Sequence, residues 1–368
     1  MDDIILFHEK NRAQVFLDRI VGKNPLFVCV IATTETAKIH GISAAGANPE
    51  ITDYTPPADA ELLLLGKCKC IPGVPVTPDG IPTPALVTMS ALRLSNTPTI
   101  VVNAGSKVKP MIPFIDLGGV PGKDIRTGKA VERTEELFQN SVILGEQLSK
   151  ACDYLVIGES IPGGTTTALG VLLAMGFDAK GRVSSSKPDN PHEIKIRTVE
   201  DGMRAAGIQH GDLKNRPIDA IEHLGDPMIA CVAGIAVGAA KKVSVLLAGG
   251  TQMTPVLATI TALNRNVVEN VAIGTTRWIT QDPTSDIDGI VSQIAPVPIL
   301  AANIDFGSSK LAGLQAYEAG IVKEGVGAGG SVISAIAKSR GSMTMKQVVS
   351  EIEMNYEMLM KSRLLSFL

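Results

Sequence analysis

The feature that most constrains the fold is a series of short, continuous apolar segments separated by stretches with helical periodicity. The segments are rich in Val, Ile and Leu, and most are followed by Gly, Ser or Thr. Continuous apolar character, without alternation, is typical of strands covered on both faces. The pattern predicts strands at residues 26–31, 61–65, 99–103, 154–158, 243–248, 270–274 and 298–304.

Strands that alternate with helices predict an α/β fold, with a mostly parallel sheet and helices on both faces. Residues 130–150 have helical periodicity, and residues 228–240 predict a buried helix that is too short to span a bilayer. The two ends lack clear strands. They predict one helix at 9–21 and three more at 311–319, 331–338 and 343–364. We therefore expect a large α/β domain at 25–306 and a small helical domain formed by 1–24 with 307–368.

The charge pattern argues against nucleic acid as a partner. The formal net charge is −3, and no run of like charges is long enough to track phosphates. Aromatic residues make up only 4% of the chain, which leaves few platforms for base stacking. The acidic start, Met1-Asp2-Asp3, does not resemble a secretory signal. We expect a cytoplasmic protein that acts on small molecules and does not bind membranes.

The cysteines and histidines give no metal-binding or disulfide pattern. The five cysteines are an odd number without framework spacing, and neither C-x-x-C nor H-E-x-x-H occurs. The acidic segments 116–119 and 282–288 lack the spacing of a calcium loop. We expect no required metal, no cofactor and no disulfide.

The most informative motif is a Gly-rich turn after the predicted strand at 154–158. A strand followed by such a turn and a helix start, capped here by the threonines, favours anion binding. The turn partly matches a P-loop but has Gly where a P-loop has the Lys that balances the charge of a nucleoside triphosphate. It therefore favours a monophosphate, with a simple capped turn as the alternative. The candidate residues are Gly158, Glu159, Gly163, Gly164, Thr165 and Thr166.

Two further segments are weaker candidates for ligand binding. Gly249 and Gly250 follow the predicted strand at 243–248 and either hold another part of the same ligand or form only a turn. In the loop 184–193 three roles compete: phosphate contact by Lys187, helix capping by Asn190 with Pro191 in the first turn, and an exposed loop. Capping is favoured for Asn190.

A third glycine cluster begins at Glu324, where Gly occupies four of the next six positions. Gly325 and Gly327 would let a ligand approach the backbone closely, so Glu324 is either functional or a solvated residue of a flexible loop. Acyl transfer is disfavoured because no G-x-S-x-G elbow occurs. The paired acids of common phosphoribosyl-pyrophosphate sites are also missing, since Glu159 stands alone after its strand.

These motifs resemble those of the nicotinate-nucleotide–dimethylbenzimidazole phosphoribosyltransferases. The turn at 158–166 is similar to their Gly-Glu…Gly-Asn-Thr-Thr loop, and residues 324–328 are similar to their C-terminal Gly-Glu-Gly-x-Gly-Ala motif. The resemblance covers about residues 152–336 and is to a less characterised, archaeal-type branch. The chain departs from the better-known motifs at four positions, where Ser160, Pro162, Gly164 and Lys323 replace Met, Ile, Asn and Gly.

The resemblance implies a Rossmann-like domain, a small helical domain built from both chain ends, and a homodimer. It also implies transfer of the phosphoribosyl group of nicotinate mononucleotide to a benzimidazole-type base, which releases nicotinate and gives an α-riboside phosphate for cobalamin nucleotide-loop assembly. In that reaction Glu324 would be the general base, Glu159 would support the ribosyl group, and residues 163–166 would bind the phosphate.

The sequence leaves the acceptor and two competing functions open. No segment within 53–89 identifies the base-binding pocket, so the acceptor could be dimethylbenzimidazole, a hydroxybenzimidazole, adenine or a phenolic compound. The alternatives to transfer are a nucleotide-binding sensor or scaffold without activity, and a nucleotide ribosyl hydrolase.

Overall fold

The computed structural model describes residues 3–43, 49–77, 79–185 and 190–365, with side chains as far as 361. These residues contain eight strands and fourteen α-helices. The strands are β1 (Ile4–His8), β2 (Pro25–Ala32), β3 (Thr99–Gly105), β4 (Ile115–Asp116), β5 (Tyr154–Ser160), β6 (Ser244–Ala248), β7 (Val271–Thr276) and β8 (Ile299–Ala302). The helices are α1 (Lys10–Ile20), α2 (Thr55–Leu65), α3 (Ala85–Leu94), α4 (Thr134–Leu148), α5 (Gly164–Ala174), α6 (His192–Ala206), α7 (Pro217–Leu224), α8 (Pro227–Ala239), α9 (Met253–Leu263), α10 (Arg277–Thr280), α11 (Ile287–Ile294), α12 (Ala312–Glu318), α13 (Ala328–Lys338) and α14 (Met345–Leu365).

The strands form one sheet in the order β1-β8-β7-β6-β5-β2-β3-β4. All neighbours are parallel except β1, which pairs antiparallel with β8. The order runs outward in both directions from β2 and β5, which is the Rossmann arrangement, and ligands bind beyond the carboxyl ends of the strands at such a reversal point. The α/β fold predicted from the sequence is confirmed.

Helices cover both faces of the sheet and bury it almost completely. On one face the core contains side chains of α4 to α9 and α11, and on the other it contains side chains of α1 to α3 and α12 to α14. The central strands β2 and β5 are buried along their whole length. This double cover explains why their sequences are continuously apolar.

One predicted strand is wrong, and two strands were missed. Residues 61–65 belong to α2, because Pro56 and Pro57 occupy its first turn and Gly66 ends it in the left-handed conformation, with a φ of 71°. A short apolar run does not by itself distinguish a strand from a helix. In this run Leu62 and Leu63 are buried, whereas Leu64 and Leu65 are exposed. The missed strands are β1, at the antiparallel edge of the sheet, and the two-residue β4.

The two chain ends meet on one side of the sheet. β1 extends the sheet beside β8, and the segment after α1 joins the end of α13 through a hydrogen bond from the Gly22 N–H to the Ala337 carbonyl. α13 itself packs on β7 and β8. The division into domains at 25–306 and at 1–24 with 307–368 stays a prediction.

Candidate functional site

A cavity of about 690 Å³ opens beyond the carboxyl ends of the central strands. The turn after β5, the residue Gln252 after β6 and the segment before α13 form one side of it. The rest of the lining is largely aliphatic and comes from the start of α2, the loop after it, and two residues that precede it. Its apolar lining residues are Ile42, Ile51, Ala58, Ile71, Pro72, Val74, Pro75, Val76, Ile81, Pro82 and Pro84.

Glu159 reaches the cavity from the end of β5. It is only 2% exposed, and one of its carboxyl oxygens accepts a hydrogen bond from the Gln252 side chain. Burial raises the pKa of Glu159 to about 8, helped by the nearby Asp226 and Glu324 carboxyls and opposed by the Gln252 bond. At neutral pH this carboxyl is therefore mostly protonated, and a cationic ligand would favour its ionised form.

Glu324 lines the same cavity from the segment before α13. Its two carboxyl oxygens accept hydrogen bonds from the N–H groups of Gly325 and Gly329 at 3.1–3.2 Å and from the Thr275 hydroxyl at 3.3 Å. Removal from water raises the pKa of Glu324 to about 7, although these hydrogen bonds lower it. The predicted pair of Glu159 and Glu324 is thus brought together at one site, where each disfavours ionisation of the other.

The backbone after Glu324 is held in an uncommon conformation. Gly325, Val326 and Gly327 all have positive φ, at 147°, 54° and 72°. A β-branched residue rarely adopts this region. Two hydrogen bonds hold Val326 there: its N–H donates to the Glu159 carbonyl at 2.9 Å, and its carbonyl accepts from the Thr88 hydroxyl at 2.9 Å. The segment that carries Glu324 is therefore fastened to β5 and α3.

The predicted anion-binding turn also borders the cavity. Gly163, Gly164 and Thr165 line it, and Gly163, with a φ of 81°, is the residue that caps α5. The prediction that a threonine caps this helix is wrong, because α5 begins at Gly164 and the threonines lie in its first turn. A side chain at Gly163 would also approach the Ala37 backbone to 3.0 Å.

Lys195 supplies the positive charge that the sequence of this turn lacks. Its side chain is fully buried, and Nζ donates hydrogen bonds to the Thr165 hydroxyl at 2.9 Å and to the Ser184 carbonyl. Sequence analysis missed this residue because it lies thirty positions away, inside α6. A contact between a lysine of α6 and the first turn of α5 leaves no pattern in the local sequence.

Asp59 is a third carboxyl in the cavity wall, and sequence analysis missed it as well. It lies on α2 and is 2% exposed. Its two oxygens accept hydrogen bonds from the hydroxyls of Thr83 and Ser160, both at 2.7 Å. Burial raises the pKa of Asp59 to about 6, although these bonds lower it. A carboxyl with a raised pKa in a cleft is a candidate for proton transfer.

The prediction that Asn190 caps a helix is wrong. Pro191 occupies the position before α6, and no side chain caps that end. The Asn190 amide instead donates to the Asp282 carboxylate at 2.9 Å and to the Thr284 hydroxyl at 2.8 Å. The neighbouring candidate Lys187 lies outside the described residues.

Gly325 also lines the cavity, whereas the remaining predicted binding residues that the structure describes do not. Gly158 and Gly327 pack against each other, and a Cβ at Gly158 would approach the Val326 carbonyl to 2.9 Å. The Thr166 hydroxyl is buried without a partner among the described residues. Gly249 and Gly250 shape the turn that leads to Gln252, whose side chain reaches the cavity. Direct ligand contacts stay predictions for Gly158, Thr166, Gly249, Gly250 and Gly327.

Comparisons with known proteins identify the family of this chain. A family model described as phosphoribosyltransferase matches residues 93–278. A protein of Sulfolobus acidocaldarius named UPF0284 protein is 49% identical over 350 residues, which are 94% of this chain and 99% of the relative. A protein of the same name from Methanothermobacter thermautotrophicus is 46% identical over 325 residues, or 87% and 90% of the two chains.

The chain belongs to this phosphoribosyltransferase family. It is accordingly a pentosyltransferase.

Two solved structures have the same fold as the enzyme. CobT from Thermus thermophilus superposes with a TM-score of 0.60 at 14% identity, covering 89% of this chain and 88% of that one. A nicotinate-nucleotide-dimethylbenzimidazole phosphoribosyltransferase from the same organism gives a TM-score of 0.56 at 14% identity, covering 89% and 87%. At this identity the likeness shows the fold.

Among the described residues of the enzyme, no group of three or more His, Cys, Asp or Glu side chains is placed to hold a metal ion. In the same part of the chain, no helix combines the length and the apolar character needed to cross a membrane. The five cysteines are free thiols.

Proposed function

We propose that the enzyme transfers the phosphoribosyl group of nicotinate mononucleotide to a benzimidazole-type base. The observation that carries the proposal is the convergence of the anion-binding turn at 163–165, supported by Lys195, with the carboxyls of Glu159, Glu324 and Asp59 around one cavity. The family of the chain supports it, as does the fold that the chain shares with a nicotinate-nucleotide-dimethylbenzimidazole phosphoribosyltransferase from Thermus thermophilus. The proposal extends to a cytoplasmic homodimer in cobalamin nucleotide-loop assembly, as the sequence resemblance implies.

The cavity offers a separate place for each part of the two substrates. The phosphate would bind the first turn of α5, where backbone N–H groups and the Lys195 ammonium attract an anion. The ribose would lie beside Glu159 and Glu324. A flat acceptor base would occupy the aliphatic side formed by α2 and the loop after it.

The chemistry needs charge stabilisation and one proton acceptor. The bond between C1′ and the pyridinium nitrogen breaks, and its electron pair stays on nicotinate, so no general acid is required. C1′ gains oxocarbenium character, which the carboxylates of Glu159 and Glu324 stabilise. A ring nitrogen of the acceptor then forms the new bond to C1′, and the proton on its other nitrogen passes to a carboxylate.

Two residues are candidates for that carboxylate. The resemblance implies Glu324, whose pKa of about 7 suits a general base. A carboxylate offers about four lone-pair positions. Three donors already contact Glu324: the Gly325 N–H, the Gly329 N–H, which is shared between both carboxyl oxygens, and the Thr275 hydroxyl. Asp59 accepts only two hydrogen bonds from side chains and lies on the acceptor side of the cavity. The hydrogen bonding therefore favours Asp59 as the base.

The proposal is tested by incubating the full-length protein with nicotinate mononucleotide and four acceptors: dimethylbenzimidazole, 5-hydroxybenzimidazole, adenine and phenol. Chromatography with mass spectrometry would measure free nicotinate and the new riboside phosphate. We expect both products in equal amounts and only when an acceptor is present. Nicotinate release without an acceptor would identify a hydrolase, and binding without release would identify a sensor; either result would overturn the proposal.

A further inference from the structure

A buried ion pair adjoins Glu324 at the edge of the cavity. Lys323 is 3% exposed, and its Nζ lies 2.6 Å from the Asp282 carboxylate. Although burial raises the pKa of Asp282, hydrogen bonds from Lys323, Thr284 and Asn190 outweigh it and hold the pKa at about 2. The motif of the resembling family usually has Gly at the position of Lys323, so the pair accompanies a departure from that motif.

A buried ion pair contributes little to stability compared with apolar side chains of similar size, because both charges lose their hydration. Its presence next to Glu324 therefore points to a role in fixing the geometry of the cavity residues. The partners of the pair show which elements it connects.

Asn190 joins the pair to the segment before α6. Its amide donates to Asp282 at 2.9 Å, and its carbonyl oxygen accepts from Lys323 Nζ at 3.4 Å and from the Ser185 hydroxyl at 2.7 Å. The preceding residue, Ser184, accepts a hydrogen bond from Lys195 through its carbonyl oxygen. Since Lys195 also donates to Thr165, this segment is connected to the anion-binding turn.

The other end of the pair leads to Glu324. The Lys323 carbonyl accepts a hydrogen bond from the Thr276 hydroxyl, and the neighbouring Thr275 hydroxyl donates to the Glu324 carboxylate. Both threonines belong to the end of β7. Hydrogen bonds, joined through the backbone at Ser184–Ser185 and Thr275–Thr276 and through the Lys323 side chain, therefore connect the phosphate side of the cavity with Glu324.

We propose that Lys323 is a positioning residue that holds Glu324 at a fixed place relative to Asn190, Ser184 and Ser185, and through them to the anion-binding turn. The inference rests on the proposed function, since it assigns Glu324 a task in stabilising the ribosyl cation. Displacement of a catalytic group by about 1 Å can cost on the order of a hundredfold in rate. Lys323 would thus affect turnover without touching the reacting atoms.

The test is the double variant Lys323→Met/Asp282→Asn, which removes both charges and leaves neither one buried alone. We expect kcat to fall by about tenfold to a hundredfold. The dissociation constant for nicotinate mononucleotide, measured by titration calorimetry, should stay within about threefold, because Thr165 and Lys195 are untouched. Thermal unfolding checks that the variant is folded, and Lys180→Met/Glu200→Gln, which removes an exposed ion pair, is the matched control.

A second variant, Asn190→Ala, removes the link and keeps both charges. It should also lower kcat while leaving mononucleotide affinity within about threefold. If the wild-type enzyme is active and both variants keep kcat within about threefold, Lys323 has no positioning role. Equal losses of kcat and affinity would also overturn the inference, because they indicate a general structural defect. A wild-type protein without transfer activity would overturn the proposed function and this inference with it.

Discussion

Single residues decide which carboxyl in the cavity performs which step. Glu324 was located from its motif, whereas Asp59 lies in a part of the chain where the sequence shows no motif at all. Both have raised pKa values, at about 7 and about 6, but they differ in the hydrogen bonds they already accept. Three donors reach Glu324, one of them shared between its two oxygens, and two hydroxyl donors reach Asp59. Because of this difference, we expect variants of the two residues to lose turnover by different factors.

Removing the proton-accepting carboxylate should cost more turnover than removing its neighbour. We expect Asp59→Asn to lower kcat by about 10²- to 10⁴-fold, the usual worth of a general base. Glu324→Gln should lower kcat by a smaller factor, because it removes charge stabilisation only. Neither change should alter the affinity for nicotinate mononucleotide by more than about threefold. Steady-state kinetics at saturating acceptor, together with calorimetry, would measure both effects.

The matched control is Glu200→Gln, an exposed position paired with Lys180. It should leave kcat unchanged. A larger loss for Glu324→Gln, with less than about tenfold for Asp59→Asn, would make Glu324 the general base, as the resemblance implies. A loss of kcat of less than about threefold in both variants would exclude proton transfer to either residue.

At the scale of elements, the start of α13 combines ligand-side function with very close packing. The Gly329 N–H donates to Glu324, and the Gly329 Cα lies against β7 so closely that a Cβ would meet the Thr275 carbonyl carbon at 2.0 Å. Gly330 approaches the Ala248 backbone in the same way, at 2.9 Å. Gly329 and Gly330 are therefore required for close contact between the helix and the strands. They are not needed to let a ligand approach the backbone.

The change Gly329→Ala should destabilise the protein and reduce activity together. An added methyl group must push α13 away from β7, which typically costs about 1–3 kcal/mol of unfolding free energy. The displaced N–H would also weaken its bond to Glu324. Chemical denaturation and kinetics would measure the two effects. Gly307→Ala is the control, because its Cβ would meet only the movable Asp305 side chain; equal effects at both positions would contradict the packing argument.

At the scale of the whole molecule, the sequence predicted what periodicity and motifs encode. Six predicted strands are confirmed because buried parallel strands leave continuous apolar runs. The run at 61–65 was misassigned because a short, mostly apolar run leaves the same pattern in a helix as in a strand, and here Leu64 and Leu65 are exposed. Glu159 and Glu324 were found beside glycines, whereas Asp59 and Gln252 reach the cavity, and Lys195 reaches Thr165 beside it, only through tertiary packing. Contacts of that range leave no local signal in a single sequence.

The buried carboxyls make the stability of the whole molecule depend on pH. The pKa is raised to about 6 for Asp59 and Asp226, about 7 for Glu324 and about 8 for Glu159, whereas in an unfolded chain such groups titrate near 4. The folded state therefore binds more protons between about pH 4 and pH 8, so its stability falls as pH rises through this range. We expect the thermal midpoint of unfolding, measured at constant ionic strength, to be higher at pH 5.5 than at pH 8.5.

Because Glu159 has the highest pKa of these carboxyls, Glu159→Gln should flatten the decline in stability above pH 7. The exposed change Glu200→Gln should not. A decline that is identical in the wild type and in Glu159→Gln would show that Glu159 ionises normally in the folded protein.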